Sequence, residues 1–173
     1  MLKSKVGYST NIDNYESGVE TATKSVDGLK NPKFSFLYTS CKSDTKQIIK
    51  GIKSVTDSKI IGCTSSGGVI VPEGVIRSKT GFSSMLTLSD ENLIVGVGCH
   101  EAGTNPREIG KKVAIQAVQD AKTTRAPAYF YMVSSPKEEE DYLLGIQDVI
   151  GRVPMFGGSA ADDEINDEWK IIS

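Results

Sequence analysis

The chain has 173 residues, 38% hydrophobic and 24% charged, with a formal net charge of −2 and a pI near 5.5. That is enough apolar material for the core of one domain, or of two small fused halves. It leaves no electrostatic footprint for nucleic-acid binding, and no apolar run nears the roughly 20 residues of a bilayer span. The N-terminus, Met1-Leu2-Lys3-Ser4-Lys5-Val6, turns polar too soon for a secretory signal. A cytoplasmic location is expected, in keeping with three cysteines that show no C-x-x-C spacing.

Val6-Gly7-Tyr8-Ser9 reads as a short strand. Asp13 and Glu16 have the spacing of a capping box, and the helix they open runs to about Leu29. It carries Val19, Ala22, Val26 and Leu29 on one face, and Asn31-Pro32 stops it. Phe34 to Thr39 is nearly all apolar or β-prone and predicts a strand covered on both faces. A second helix, from about Asp44 to Val55, presents Ile48, Ile49 and Ile52 to the sheet, and Lys59 to Cys63 is the third strand.

After Gly67-Gly68 the character changes. Val69-Ile70-Val71 precedes a turn at Pro72-Glu73-Gly74, Phe82 to Leu88 alternates, and Leu93 to Cys99 reads as another strand after the turn at Ser89–Asn92. This middle portion predicts antiparallel hairpins. The βαβαβ order then resumes. Asn105-Pro106-Arg107-Glu108 starts a helix ending near Thr123, with Ile109, Val113, Ala117 and Ala121 inward. Tyr129 to Ser134 is a strand, and Ser135-Pro136-Lys137-Glu138 repeats the cap pattern. The acidic residues 138–141 suit a first helical turn, while Leu143, Leu144, Ile146 and Ile150 line its buried face. Met155-Phe156 is the matching third strand.

These matches share one register. Gly62 and Gly157 are 95 positions apart, and the same shift lays residues 34–40 on 129–135. An internal duplication is expected, with copies over about 5–89 and 93–173. The alternating strand of the first copy begins near Thr80, and its counterpart would fall near position 175. Residues 168–173 therefore read as a strand cut short, which leaves an open sheet edge suited to pairing with another chain, such as a second copy.

The candidate chemistry gathers at two small-residue loops. Gly62-Cys63-Thr64-Ser65-Ser66-Gly67 ends one apolar strand, and Gly157-Gly158-Ser159-Ala160-Ala161-Asp162-Asp163 ends its counterpart. The glycines allow close backbone approach, the hydroxyls of Thr64, Ser65, Ser66 and Ser159 hydrogen-bond, and Asp162 and Asp163 suit an ammonium or guanidinium group. Such loops lie beyond the carboxyl ends of strands, where α/β sheets hold ligands. The alternative is that the glycines only make tight turns. Gly62 and Gly67 have the opening spacing of a phosphate loop, but Gly68 stands where its lysine belongs. Gly157-Gly158-Ser159 resembles a nucleophile elbow, so a serine hydrolase using Ser159 and the sole histidine, His100, is a rival reading. His100 is also the one candidate axial ligand for a haem. Ser40 and Ser135 share a register position, as helix caps or as loop hydroxyls facing a ligand.

With these motifs in view the sequence resembles the N-terminal domain of the FIST family, the F-box and intracellular signal transduction proteins. The resemblance rests on Val6-Gly7-Tyr8-Ser9-Thr10, on Ile60 to Gly67 and on Val153 to Asp163. It departs at Gly68, where the family commonly has an acidic residue. The resemblance implies a bacterial sensory module rather than an enzyme, binding a small polar molecule such as an amino acid, some relatives being haem-based gas sensors. It implies partners such as a chemotaxis receptor, a histidine kinase or a cyclic-dinucleotide enzyme, and a companion C-terminal domain to which nothing here corresponds. The expected fold is α/β: two similar βαβαβ-plus-hairpin units forming mixed sheets with covering helices, the whole a single sensory domain.

Overall fold

Aromatic and β-branched residues at β2 (Phe34–Thr39) and β3 (Lys59–Thr64) pair in parallel, and the first unit is assembled on them. The computed structural model describes residues 1–164 and 166–173 and is of mixed α/β type, with helices against both a five-stranded and a two-stranded sheet. The chain divides into two compact units, one formed by Met1–Leu93 with Ala161–Ile172, the other by Ile94–Ala160.

In the first unit the strand order is β1 (Lys3–Ser9), β6 (Ser83–Ser89), β2, β3 and β9 (Ile171–Ile172). The alternation at 82–88 is a strand, as expected, but not half of a hairpin with residues 93–99. It lies inside the sheet between β1 and β2, antiparallel to both. The hairpin of this region is the short ribbon β4 (Val69–Val71) and β5 (Gly74–Ile76). Residues 168–173 are also reassigned: Ile171 and Ile172 pair with Cys63 and Gly62, so the last strand joins the first unit's sheet.

Two helices, α1 (Asn14–Val26) and α2 (Thr45–Lys53), cover one face of that sheet. Asp13 caps α1 by accepting from the Glu16 N–H, but the reciprocal bond of a capping box is replaced, because the Asp13 N–H goes to Asn11. The helix stops at Val26, before the expected Leu29, and Gly28 turns the chain at φ +74°. Its buried face is Ser17, Gly18, Thr21, Ala22 and Ser25, sharing only Ala22 with the apolar stripe expected from sequence. The reason is proximity. An added Cβ would lie 2.1 Å from the Ile48 carbonyl at Gly18 and 2.2 Å from the Tyr15 carbonyl at Gly51, so the helices cross backbone to backbone.

The sheet comes as near to α1, since an added Cβ at Gly7 of β1 would lie 2.2 Å from the Thr21 carbonyl, so small side chains fill the space beneath the helix and their hydroxyls bond one another. Ser83 Oγ lies 2.8 Å from Ser17 Oγ and 2.6 Å from Thr21 Oγ1, and Thr87 donates to Ser25 at 3.0 Å. Each such bond contributes about 0.5–1.5 kcal/mol net, whereas an unmet buried hydroxyl costs about 1–3 kcal/mol. Beside this polar seam lies the apolar core of Leu37, Ile48, Ile52, Ile60, Met85 and Ile172.

The second unit holds α3 (Pro106–Ala121), β7 (Phe130–Ser134), α4 (Glu139–Ile150) and β8 (Met155–Ser159), with β7 and β8 parallel. Asn105 caps α3 through the Glu108 N–H with Pro106 in the first turn, as its sequence predicts. For α4 the expected Ser135 cap is displaced to Glu138. The acidic first turn, Glu139 to Asp141, stands as expected. Tyr142, Gly145 and Ile146 are its buried residues, while Leu144 is exposed and Leu143 and Ile150 pack at the core's margin. The α3–α4 crossing again uses glycines, Gly110 against the Tyr142 carbonyl and Gly145 against that of Arg107.

One strand expectation fails here and one holds. Residues 93–99 form no ladder; the Val97 N–H goes to Asp120 and the Cys99 N–H to Gln116, both on α3. Met155-Phe156 does begin a strand, but all five residues of β8 are exposed. Among the described residues no strand in this unit takes the place that β6 fills between β1 and β2 in the first, so the two-stranded sheet of β7 and β8 has little to bury it.

Candidate functional site

The parallel strands β2 and β3 end side by side, and their tips are tied by the Ser65 N–H donating to the Thr39 carbonyl at 2.9 Å. Beyond β2 the chain turns through residues 40–43. There the Ser40 N–H donates to the Phe82 carbonyl at 3.0 Å, and Ser40 Oγ accepts from the Lys42 N–H. Ser40 is thus a turn residue; the cap of α2 is Asp44, which takes the N–H groups of Lys46 and Gln47. Gly62 is buried within β3, and a Cβ there would meet the Leu37 carbonyl at 1.7 Å, so glycine is what lets these strands approach.

The loop after β3 is held by the segment after residue 160. Thr64 exchanges backbone bonds with Lys170 and Ala161, and its Oγ1 accepts from the Lys170 N–H at 2.9 Å. Asp162, nearly buried, accepts the Glu168 N–H at 2.9 Å. Asp163 is the link to the loop itself: Oδ1 accepts the Gly67 N–H at 2.9 Å, and Oδ2 lies 3.0 Å from Lys42 Nζ. The Gly67 N–H first, and Lys42 after it, hold the Asp163 carboxyl below the usual carboxylate range, while the same bond to Asp163 raises Lys42. Ser65 Oγ donates to the Gly68 carbonyl at 2.9 Å.

These groups wall a cleft of about 490 Å³. Its charged lining is Lys42, Arg77, Lys79 and Asp163. Ser40, Ser66 and Ser78 add hydroxyls, Gly67 adds backbone, and the buried Phe82 backs the wall. The cleft stands at the carboxyl ends of parallel strands, where α/β folds place ligands. Of the residues singled out from sequence, Ser40, Ser66, Gly67 and Asp163 line it; Gly62, Cys63, Thr64, Ser65 and Asp162 lie in the strand end and supporting segment behind them. Lys42, Arg77, Lys79 and Phe82 were not legible as site residues. The trace they leave is Arg77-Ser78-Lys79, two cations flanking a hydroxyl just after the hairpin, whose place beside the Gly67 loop depends on the path of β6.

The second loop belongs to the other unit up to Ala160. Gly157, at φ +146°, repeats the arrangement of Gly62, since its Cβ would meet the Met132 carbonyl at 1.9 Å; Gly158 has open space around it. Ser159 Oγ donates to the Glu139 carboxylate, and that bond lowers the acid. Ser135 Oγ lies 3.0 Å from Tyr142 Oη, which donates to Glu138 and whose titration burial pushes up. His100 is exposed, its Nδ1 2.8 Å from the Glu101 carbonyl. Residues 101–105 around it are exposed too and give no apolar enclosure, so this histidine does not fit a haem, whose macrocycle needs one. The three cysteines are free thiols, and burial pushes Cys63 up to about 11. Among the described residues no group of three His, Cys, Asp or Glu side chains is placed to hold a metal, and no helix is long and apolar enough to cross a membrane.

A family profile described as the FIST N domain matches residues 33–171, most of the chain. No curated protein matches it.

Proposed function

The chain belongs to the FIST N domain family, sensory domains of signal transduction, and from that premise we propose that it binds a small polar molecule in the cleft of the first unit and passes the occupancy to a signalling partner. Amino acids are the first class to test, and a chemotaxis receptor, a histidine kinase or a cyclic-dinucleotide enzyme is the kind of partner the family implies. The observation that carries this reading is the cleft itself. It lies at the tips of β2 and β3, and its lining mixes three cations, a carboxylate and three hydroxyls, backed by the buried Phe82. Charged and hydroxyl groups converging at the carboxyl ends of parallel strands supply the polar contacts that fix a small polar ligand.

The ties within the site suggest how binding would be felt. Asp163 joins Lys42, the Gly67 loop and the segment leading to β9, so a ligand that competes for Lys42 acts on all three. The two units are read as copies of one ancestral half, a reading supported by the matching close contacts of Gly62 with Gly157, Gly18 with Gly110 and Gly51 with Gly145.

The test is titration calorimetry of the full chain against an amino-acid panel, with Asp162→Ala and Arg77→Gln beside the native protein. Saturable heat with an amino acid, weakened in Arg77→Gln, is the expected result. Asp162 holds the supporting segment, so Asp162→Ala should also weaken binding; unchanged affinity there removes that residue's role. Binding unaffected by both substitutions would place the site outside the cleft, and silence across the panel would remove amino acids as the ligand class.

A further inference from the structure

The charge of the cleft is lopsided, and the imbalance bears on its ligand. Three cations, Lys42, Arg77 and Lys79, face it against one carboxylate, Asp163. Asp163 already accepts the Gly67 N–H and pairs with Lys42 at 3.0 Å, so its negative charge is spent within the wall. Glu164 acts on Lys42 from outside the lining. Arg77 and Lys79 have no ion-pair partner among the described residues, and both are exposed at the cleft. The lining thus carries two uncommitted positive charges. An ammonium-bearing end of a ligand has no free carboxylate to meet there.

We propose that the cleft takes a small dicarboxylate, a deepening that rests on the reading of this cleft as the sensory site. Two anionic ends match the two unpaired cations, and a guanidinium is the side chain best shaped to receive a carboxylate through two parallel bonds. Phe82, only 4% exposed and with its carbonyl held by the Ser40 N–H, closes the wall behind these groups. Ser66 and Ser78 supply hydroxyls for the remaining carboxylate oxygens. A phosphate group fits less well. Phosphate cradles are built from several converging backbone N–H groups, and the loop's Gly67 N–H points instead to Asp163.

The experiment is calorimetry of the full chain with succinate and glutarate, beside butyrate, succinamide, glycerol phosphate and the amino-acid panel, at low and at 0.5 M salt. Succinate or glutarate should bind at least about tenfold more tightly than butyrate, the scale of losing one charge-assisted contact, with no heat from succinamide and with affinity falling as salt rises. Arg77→Gln and Lys79→Gln should each weaken the dicarboxylate about tenfold. Circular dichroism and melting temperature should match the native protein, since neither side chain is tied into the fold by a hydrogen bond or ion pair among the described residues. A neutral or zwitterionic amino acid that binds in the cleft better than either dicarboxylate would overturn the inference and leave the sensory reading standing. Tighter binding of glycerol phosphate would replace the dicarboxylate with a phosphate ester. If nothing on the list binds, both fail together.

Discussion

Replacing Gly18 with alanine sets two effects of opposite sign against each other. In a helix interior alanine is favoured over glycine by roughly 0.5–1 kcal/mol, because glycine loses more backbone freedom on folding. Against this, the new methyl carbon would lie 2.1 Å from the Ile48 carbonyl oxygen, a backbone atom of α2, where ordinary contact begins near 3.4 Å. A carbonyl inside a helix cannot swing aside, so the helices must part by about 1 Å, and a gap of that width forfeits a quarter to a half of the dispersion attraction of the atoms lining it. Ala22, Ile48 and Ile52, all fully buried, bear that loss. Overpacking of this kind costs about 1–3 kcal/mol, so sterics outweigh propensity and Gly18→Ala should be less stable by about 1–2 kcal/mol. Gly51→Ala, with its methyl 2.2 Å from the Tyr15 carbonyl, should behave alike. Urea unfolding followed by far-ultraviolet circular dichroism and by Trp169 fluorescence measures both. A raised midpoint at unchanged slope in the two variants would show that α1 and α2 do not meet backbone to backbone.

Acid should destabilise the fold through Asp163, Asp148 and Glu20. The first is lowered by the Gly67 N–H and Lys42, the second by Arg107 and the third by the hydroxyl of Ser9 and the amide of Asn11. A carboxyl depressed in the folded state contributes stability that is fully present above its unfolded value and is lost as pH falls through the folded one. The urea midpoint should therefore be flat from pH 7 to about 5 and fall below about pH 4, and a midpoint that rises on acidification contradicts the assignment. Cys63, buried and titrating near 11, should resist alkylation at pH 8 until denaturant is added, whereas half-buried Cys99 should label first; peptide mass spectrometry reads the order. Thr39 is fully buried with no partner for its hydroxyl among the described groups, so Thr39→Val should be neutral or stabilising by up to about 1 kcal/mol, and a clear loss in thermal unfolding would reveal a missing bond.

Local signals carried much of the fold into the sequence. The caps at Asp13 and Asn105, the apolar strands at 34–39 and 59–64, and the hairpin turn at Pro72-Glu73-Gly74 depend on neighbouring residues alone, and each stands where its residues place it. What failed was set at long range. The α1 stripe was misread because a glycine-mediated crossing selects small hydroxyl residues for the inside, against the rule that apolar residues go there. Strand 82–88 has the right period, but nothing in its alternation reveals that it inserts between β1 and β2. The same insertion hid half of the candidate site. Ser66, Gly67 and Asp163 announce themselves as a small-residue loop and an acid; Arg77 and Lys79 read as ordinary surface charges until the hairpin sets them opposite.

The pairing of Ile171 and Ile172 with β3 makes the first sheet wait for a segment more than a hundred residues downstream. Ile172 is 2% exposed in a core whose other members all lie before residue 86, so a contact spanning more than a hundred residues completes it. A ribosome releases residues in order, and the early half therefore emerges with the flank of β3 uncovered, completing its packing only once the intervening segment has been made. Loop closure over that span must precede the reward of burying the isoleucine.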